Sequence, residues 1–227
     1  MGYKILLFDI DDTLLDFSAI EAVSLPLLFG LHGVVFSDEV SGVYKAVNRR
    51  LWSAYENGTI GLAEVLNTRF SETMKKLGVP VDGALWEKDY QRLLDCGDKL
   101  TEGALEVCRG LAVSHRLFAV TNGLAAAQVK RLKRAGLLPY FEDVFVSESI
   151  GCQKPSRKFF DYVADHIRGY AAGEALVIGD SPNTDIRGGI LSGIDTCWVN
   201  RNAQPCPPGV KSTYTIRRLT ELFDLCK

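Results

Sequence analysis

The sequence predicts an α/β fold in which a doubly wound parallel sheet is interrupted by an inserted α-helical domain. Three observations carry this. Five short apolar, β-rich runs recur along the chain, at 4–8, 116–121, 143–147, 175–180 and 196–200. Helical patterns separate the last four, as βαβ units require. Between the first and second runs lie roughly 100 residues, far more than a crossover needs.

The first run, "KILLF", leads straight into "DIDDTLLD", so Asp9, Asp11 and Asp12 crowd against the end of a buried strand. "RLFAVT", "DVFVS", "ALVIGD" and "TCWVN" follow, and "TYTI" (213–216) suits an edge strand. Among the helices, "AAAQVKRLKRAG" stops at Gly136, "SRKFFDYVADHI" follows a proline, and "DIRGGILSG" ends at Gly193. Together these describe a Rossmann-like core.

In the long gap, "SDEVSGVYKAVNRRLWSAYENG" places Val40, Val43, Val47, Leu51 and Ala54 at helical spacing before Gly58. "LAEVLNTRFSETMKKLG" does the same with Leu62, Val65, Leu66, Phe70, Met74 and Leu77, and "DGALWEKDYQRLLD" forms a further amphipathic helix. The expected division is a core of residues 1–15 and 99–227 with a helical cap at 16–98.

Composition narrows the function. The 227 residues are 47% hydrophobic and 24% charged with a net charge of −2, which gives no electrostatic footprint for nucleic acid or membrane. No apolar stretch reaches spanning length, and no signal-peptide plan opens the chain. The six cysteines are dispersed without a C-x-x-C pair, which favours reduced thiols in a cytoplasmic protein over a zinc site. His32, His115 and His166 show no ligand spacing, and "NAQPCPPG" (202–209) reads as a rigid loop.

Ligands of open α/β sheets bind beyond the carboxyl ends of the strands. Those ends deliver Asp9 and Asp11, then Thr121 and Asn122, then Lys154 in "GCQKPSRKFF", then Asp180 and Asp185 in "GDSPNTD". Each segment alone has a bland reading as a turn, a cap or a surface lysine. Their joint occurrence, in order and each at a strand end, points to one shared site.

"DIDDT", "TNG", "KP" and "GDSPNTD" resemble the four motifs of the haloacid dehalogenase superfamily, and the helical insert is similar to its C1 cap. "LWSAYENGTIGLAEVLNTRF" and "DIRGGILSGIDTCWVN" further resemble the pyrimidine 5′-nucleotidase branch. The resemblance implies a Mg²⁺-dependent phosphomonoesterase, with Mn²⁺ as a substitute, acting on a small phosphorylated metabolite such as a nucleoside monophosphate. The physics agrees, because an anionic nucleophile approaches a phosphate monoester only if charge is neutralised, and clustered carboxylates are hard donors for such a cation. Asp9 then attacks phosphorus, and Asp11 protonates the leaving oxygen and later activates water. In the resembling family the Asp11 main-chain carbonyl is also a metal ligand. Thr121 and Asn122 lie where phosphoryl oxygens bind, Lys154 offsets charge, and Asp180 completes the metal shell, with Asp185 bound through water or holding Lys154.

A metal-free dehalogenase would not need Asp11 or the Asp180/Asp185 pair, and a non-catalytic binding protein should have lost part of the set. A phosphomutase, or a phosphatase of another small metabolite, would share every motif. Substrate choice falls to the cap and to the loop at Asp16–Phe17, where Phe17, Trp52 and Tyr55 are available to stack on a base. Arg49, Arg50, Trp52, Tyr55 and Arg69 suit core packing or a solvated face better than a ligand contact. A monomer or weak homodimer is expected.

Overall fold

Ile5–Phe8 (β1) is apolar at every position because both faces of the strand are covered. The computed structural model, which describes residues 2–227, places β1 at the centre of a six-stranded, all-parallel sheet. The other strands are β2 (Arg116–Thr121), β3 (Asp143–Val146), β4 (Ala175–Gly179), β5 (Asp195–Val199) and β6 (Tyr214–Ile216), in the order β3-β2-β1-β4-β5-β6. The sheet is therefore the α/β, doubly wound arrangement that the sequence predicts, with "TYTI" as its edge.

Ten helices accompany the sheet: α1 (Phe17–Leu31), α2 (Asp38–Glu56), α3 (Leu62–Lys76), α4 (Gly83–Leu94), α5 (Ala104–Leu111), α6 (Ala125–Arg134), α7 (Ser147–Ile150), α8 (Arg157–His166), α9 (Arg187–Leu191) and α10 (Leu222–Leu225). They are counted among the described residues. Two compact units result, Met1–Phe17 with Asp98–Lys227, and Ser18–Gly97.

In the sheet unit, alternate strand residues enter two separate cores. Leu6, Phe8, Leu117, Ala119, Leu176 and Ile178 pack with residues of α5, α6 and α10. Ile5, Leu7, Phe118, Val120 and Val177 pack with Phe159, Phe160 and Val163 of α8. Phe8 stands level with Ala119 of β2 and Ile178 of β4, so the residues that follow these three positions emerge side by side. The chain winds outward from β1 in both directions, which opens a crevice at the carboxyl edge.

The helical unit holds α2, α3, α4 and most of α1. Tyr44 stacks on Phe70 at 5.4 Å, and Tyr90 meets the same ring edge-on at 5.2 Å. The inward stripe of α2 runs through Val40, Tyr44, Val47, Leu51 and Tyr55, whereas Val43 and Ala54 are only partly buried. Tyr44 and Tyr55 take the inward places next to Val43 and Ala54, while Val40, Val47 and Leu51 stay on the stripe that the spacing predicts. Helices α1 and α5 lie outside the helical patterns read from the sequence. Helix α1 is apolar almost all round and carries Pro26, so it lacks the contrast that marks an amphipathic helix. Helix α5 has only eight residues, too few for its period to stand out.

Candidate active site

Asp9 follows β1 directly, and its main-chain N–H donates to Ile178 O of β4 at 2.8 Å, which carries the sheet pairing one residue beyond the strand. Its side chain is buried, 7% exposed, with both oxygens engaged. Lys154 Nζ donates to Oδ1 at 2.7 Å and Thr13 Oγ1 donates to Oδ2 at 3.0 Å. Burial pushes the Asp9 carboxyl up to about 7, with Lys154 opposing and the charges of Asp185 and Asp11 adding to the rise.

Lys154 is the buried cation beside Asp9 and Asp185. Its three ammonium protons go to Asp9 Oδ1 at 2.7 Å, Asp185 Oδ1 at 2.7 Å and Val120 O at 2.8 Å. Burial alone would lower its basicity, but Asp185 and Asp9 together raise it above the ordinary lysine value. Asn122 holds the lysine in place through the backbone. Its amide donates to Lys154 O at 2.9 Å and accepts from Lys154 N at 2.9 Å. The Asn122 side chain is thus committed to the lysine loop, while Thr121, one residue earlier, turns its hydroxyl toward Gly123 N (3.1 Å) and Gln128 Nε2 (2.9 Å).

Asp180 and Asp185 come from the turn after β4. The Asp180 main-chain N–H donates to Thr13 Oγ1 at 3.0 Å, and Trp198 Nε1 donates to Asp180 O at 2.9 Å. Burial, then the charges of Asp9, Asp185 and Asp12, hold the Asp180 carboxyl well above the usual carboxylate range. Asp185 sits in a π-helical turn, Pro182–Ile186, and accepts from Ser181 N at 3.1 Å in addition to Lys154. Gly179 makes room for it, since a Cβ there would lie 2.2 Å from Asp185 Oδ2.

Asp9, Asp180 and Asp185 each place a carboxylate oxygen within 4.8 Å of the others. Three carboxylates against the single ammonium of Lys154 leave two formal negative charges in excess. That imbalance, in a buried cluster made only of oxygen donors, fits a divalent hard cation. The Asp11 carboxylate stands apart from this cluster. Gln128 Nε2 donates to its Oδ2 at 2.6 Å, and Arg131 pairs with its Oδ1.

Several residues of the site were not singled out by the sequence reading. Thr13 closes the D-x-D-x-T segment and bridges Asp9 to Asp180. Arg201 donates to Asp12 O at 2.8 Å, across a turn in which Asp12 adopts a left-handed φ of 60°. Gln128 and Arg131 are legible in hindsight. They share one face of α6 with Leu132, so they are polar residues on a stripe that should be apolar. Conversely, Arg69 of the helical unit is buried against Glu87, with bonds of 2.7 and 2.6 Å, and Tyr55 is buried as well. Both are packing residues of that unit, while Arg50 pairs with Glu72 and Trp52 packs edge-on to Tyr55.

Comparison with known proteins agrees with this architecture. The chain is 45% identical to the HAD-hydrolase YfnB of Bacillus subtilis, over 98% of this chain and 95% of that protein. The crystal structure of YfnB bound to magnesium superposes with a TM-score of 0.94 at 44% identity, covering all of both chains. Pyrimidine 5′-nucleotidase PynA of Streptococcus pneumoniae is 37% identical over 99% of this chain and 95% of its own. Pyrimidine 5′-nucleotidase YjjG of Escherichia coli is 33% identical over the full length of both. Among the described residues, no helix is long and apolar enough to cross a membrane. Residues 3–193 match the haloacid dehalogenase-like hydrolase family, and with the sheet order and these near full-length relatives the chain belongs to that family of enzymes.

Proposed function

We propose that the protein is a Mg²⁺-dependent phosphomonoesterase that works through an aspartyl-phosphate and hydrolyses nucleoside 5′-monophosphates, pyrimidines in preference to purines. The observation that carries this reading is the excess of buried carboxylate over ammonium at Asp9, Asp180, Asp185 and Lys154. Such a cluster repels a phosphate monoester unless a cation joins it. Asp9, Asp180 and Asp185, with the Asp11 main-chain carbonyl, would hold Mg²⁺, which supplies positive charge against the phosphoryl oxygens and tolerates replacement by Mn²⁺.

The protein's own groups then divide the work. An oxygen of Asp9 forms a bond to phosphorus as the ester P–O bond breaks. Asp11 gives a proton to the departing oxygen and afterwards takes one from the water that attacks phosphorus, which frees phosphate and restores the Asp9 carboxylate. Lys154 keeps Asp9 turned inward and offsets charge as it accumulates. Thr121 accepts two hydrogen bonds from the protein, which leaves its hydroxyl proton to donate to a phosphoryl oxygen.

These groups grip only the phosphoryl end, so the residues that distinguish one nucleoside from another lie elsewhere. The helical unit, residues 16–98 in the sequence reading, is proposed as the cap that selects the leaving group. Support for a pyrimidine substrate comes from PynA and YjjG, similar to this chain almost end to end. The test is phosphate release with Mg²⁺ from UMP, dTMP, AMP, GMP and a set of sugar phosphates. Pyrimidine nucleotides should lead in kcat/KM. Sugar phosphates outrunning every nucleotide would remove the nucleotidase assignment, and silence on all of them would remove the phosphatase.

A further inference from the structure

We infer that Gln128 and Arg131 of α6 are positioning residues for the Asp11 carboxylate, a role that rests on the phosphatase reading above. The two residues lie one helical turn apart and are almost fully enclosed, 1% and 4% exposed. Between them they take both oxygens of Asp11. Gln128 Nε2 donates to Oδ2 at 2.6 Å and the Arg131 guanidinium holds Oδ1. The same Gln128 nitrogen donates its second proton to Thr121 Oγ1 at 2.9 Å. One side-chain amide therefore sets the spacing between the acid–base carboxylate and the hydroxyl offered to the phosphoryl group.

The fold makes room for this contact. A Cβ at Gly123 would lie 2.3 Å from Gln128 Nε2, so the glycine of "TNG" is the opening through which the amide reaches Thr121 and Asp11. On the other side the Arg131 guanidinium lies over the Phe17 ring, 5.2 Å from its centre, which limits its freedom to swing away.

Packing alone does not account for the pair. Among the described residues, Gln128 Oε1 and Arg131 Nε are buried without a hydrogen-bond partner, so two polar groups are incompletely satisfied where an apolar side chain would sit at less cost. Among the described residues, their side-chain partners include Asp11 and Thr121, both groups of the proposed reaction. Asp11 must deliver a proton to the leaving oxygen as its bond to phosphorus breaks. It must then remove one from water as the new P–O bond forms and the Asp9–phosphorus bond breaks. Both transfers need the carboxylate at hydrogen-bond reach of a defined point.

The test separates proton transfer from general damage by the leaving group. Phenyl phosphate needs an acid to expel phenolate, whereas 2,4-dinitrophenyl phosphate does not. In Gln128→Met and Arg131→Met, kcat for phenyl phosphate should fall about 10²-fold with KM little changed. The stopped-flow burst of dinitrophenolate should keep nearly the rate of the unmodified enzyme in Arg131→Met. In Gln128→Met, which also loses the bond to Thr121, the burst should fall less than the steady-state rate. Slow turnover should follow in both as phosphoenzyme accumulates. Arg131→Lys should recover part of the loss. Equal losses in burst and steady state, a change confined to KM, or no change would overturn the assignment. If the methionine variants fail to fold, as judged by thermal melting, Arg131→Lys and Gln128→Asn decide. A lowered ratio of steady-state rate to burst rate supports the assignment, and an unaltered ratio refutes it. No phosphate release by the unmodified enzyme from either ester would remove the phosphatase reading itself, and this role with it.

Discussion

Lys154 Nζ stands 2.7 Å from an oxygen of Asp9 and 2.7 Å from an oxygen of Asp185, so one ammonium joins two carboxylates that leave the sheet at different strand ends. The ion pairs are buried, and their third acceptor is the carbonyl of Val120 in β2. The lysine is therefore the electrostatic keystone of the cluster as well as a candidate for charge stabilisation in catalysis.

Lys154→Met should destabilise the metal-free protein by about 3–5 kcal/mol, because the carboxylates stay buried while their counter-charge is lost. Urea denaturation measures the change. Turnover should fall together with stability, and a variant as stable as the unmodified protein would show that the pair contributes little to the fold.

Asp9→Asn should abolish turnover by several orders of magnitude while leaving the melting temperature of the metal-free protein equal or higher. The amide keeps the side-chain volume and removes one of the mutually repelling charges. Near-normal phosphate release by this variant would exclude Asp9 as nucleophile.

The acid groups also set a pH dependence of stability. The Asp9 carboxyl rises from the ordinary 3.8 to about 7 on folding, and Asp180 shifts in the same direction. The folded state then holds protons that the unfolded chain releases, so the contribution is full below about 4 and is lost as pH rises through about 7. Lys154 is charged in both states across this window and adds no slope. Metal-free protein should lose stability between about pH 4 and pH 7 by on the order of a few kcal/mol. Asp180→Asn should flatten part of that slope. Melting curves at stepped pH with chelator present give the answer, and a stability that climbs over this range would contradict the assignment.

Divalent metal should reverse the same penalty. Mg²⁺ should raise the melting temperature more at pH 8 than at pH 6, since it binds the deprotonated carboxylates. Activity should vanish on exhaustive chelation and return with Mg²⁺ better than with Ca²⁺, whose looser geometry places phosphate less well. Full turnover after chelation would sink the metal-dependent mechanism.

The strands and the carboxylates at their ends were readable from the chain alone. A parallel strand covered on both faces has to be a continuous apolar run, and a charged residue can follow only where the sheet stops. Helices α2, α3 and α4 were readable because each has one wet face and one dry face. Helix α1 was hidden by its uniform apolarity and its internal proline. Tertiary structure decided what those patterns could not carry, namely which residues meet. Lys154 reaches Asp9 across 145 residues, and Arg131 reaches Asp11 across 120, because the sheet order sets β1 between β2 and β4. Asn122 proved to be tied to the lysine backbone, and Arg69 was enclosed with Glu87, because hydrogen-bond partners are chosen by proximity in space. Local pattern determines which side chains must leave the solvent, and only the packing of distant segments determines what each of them touches.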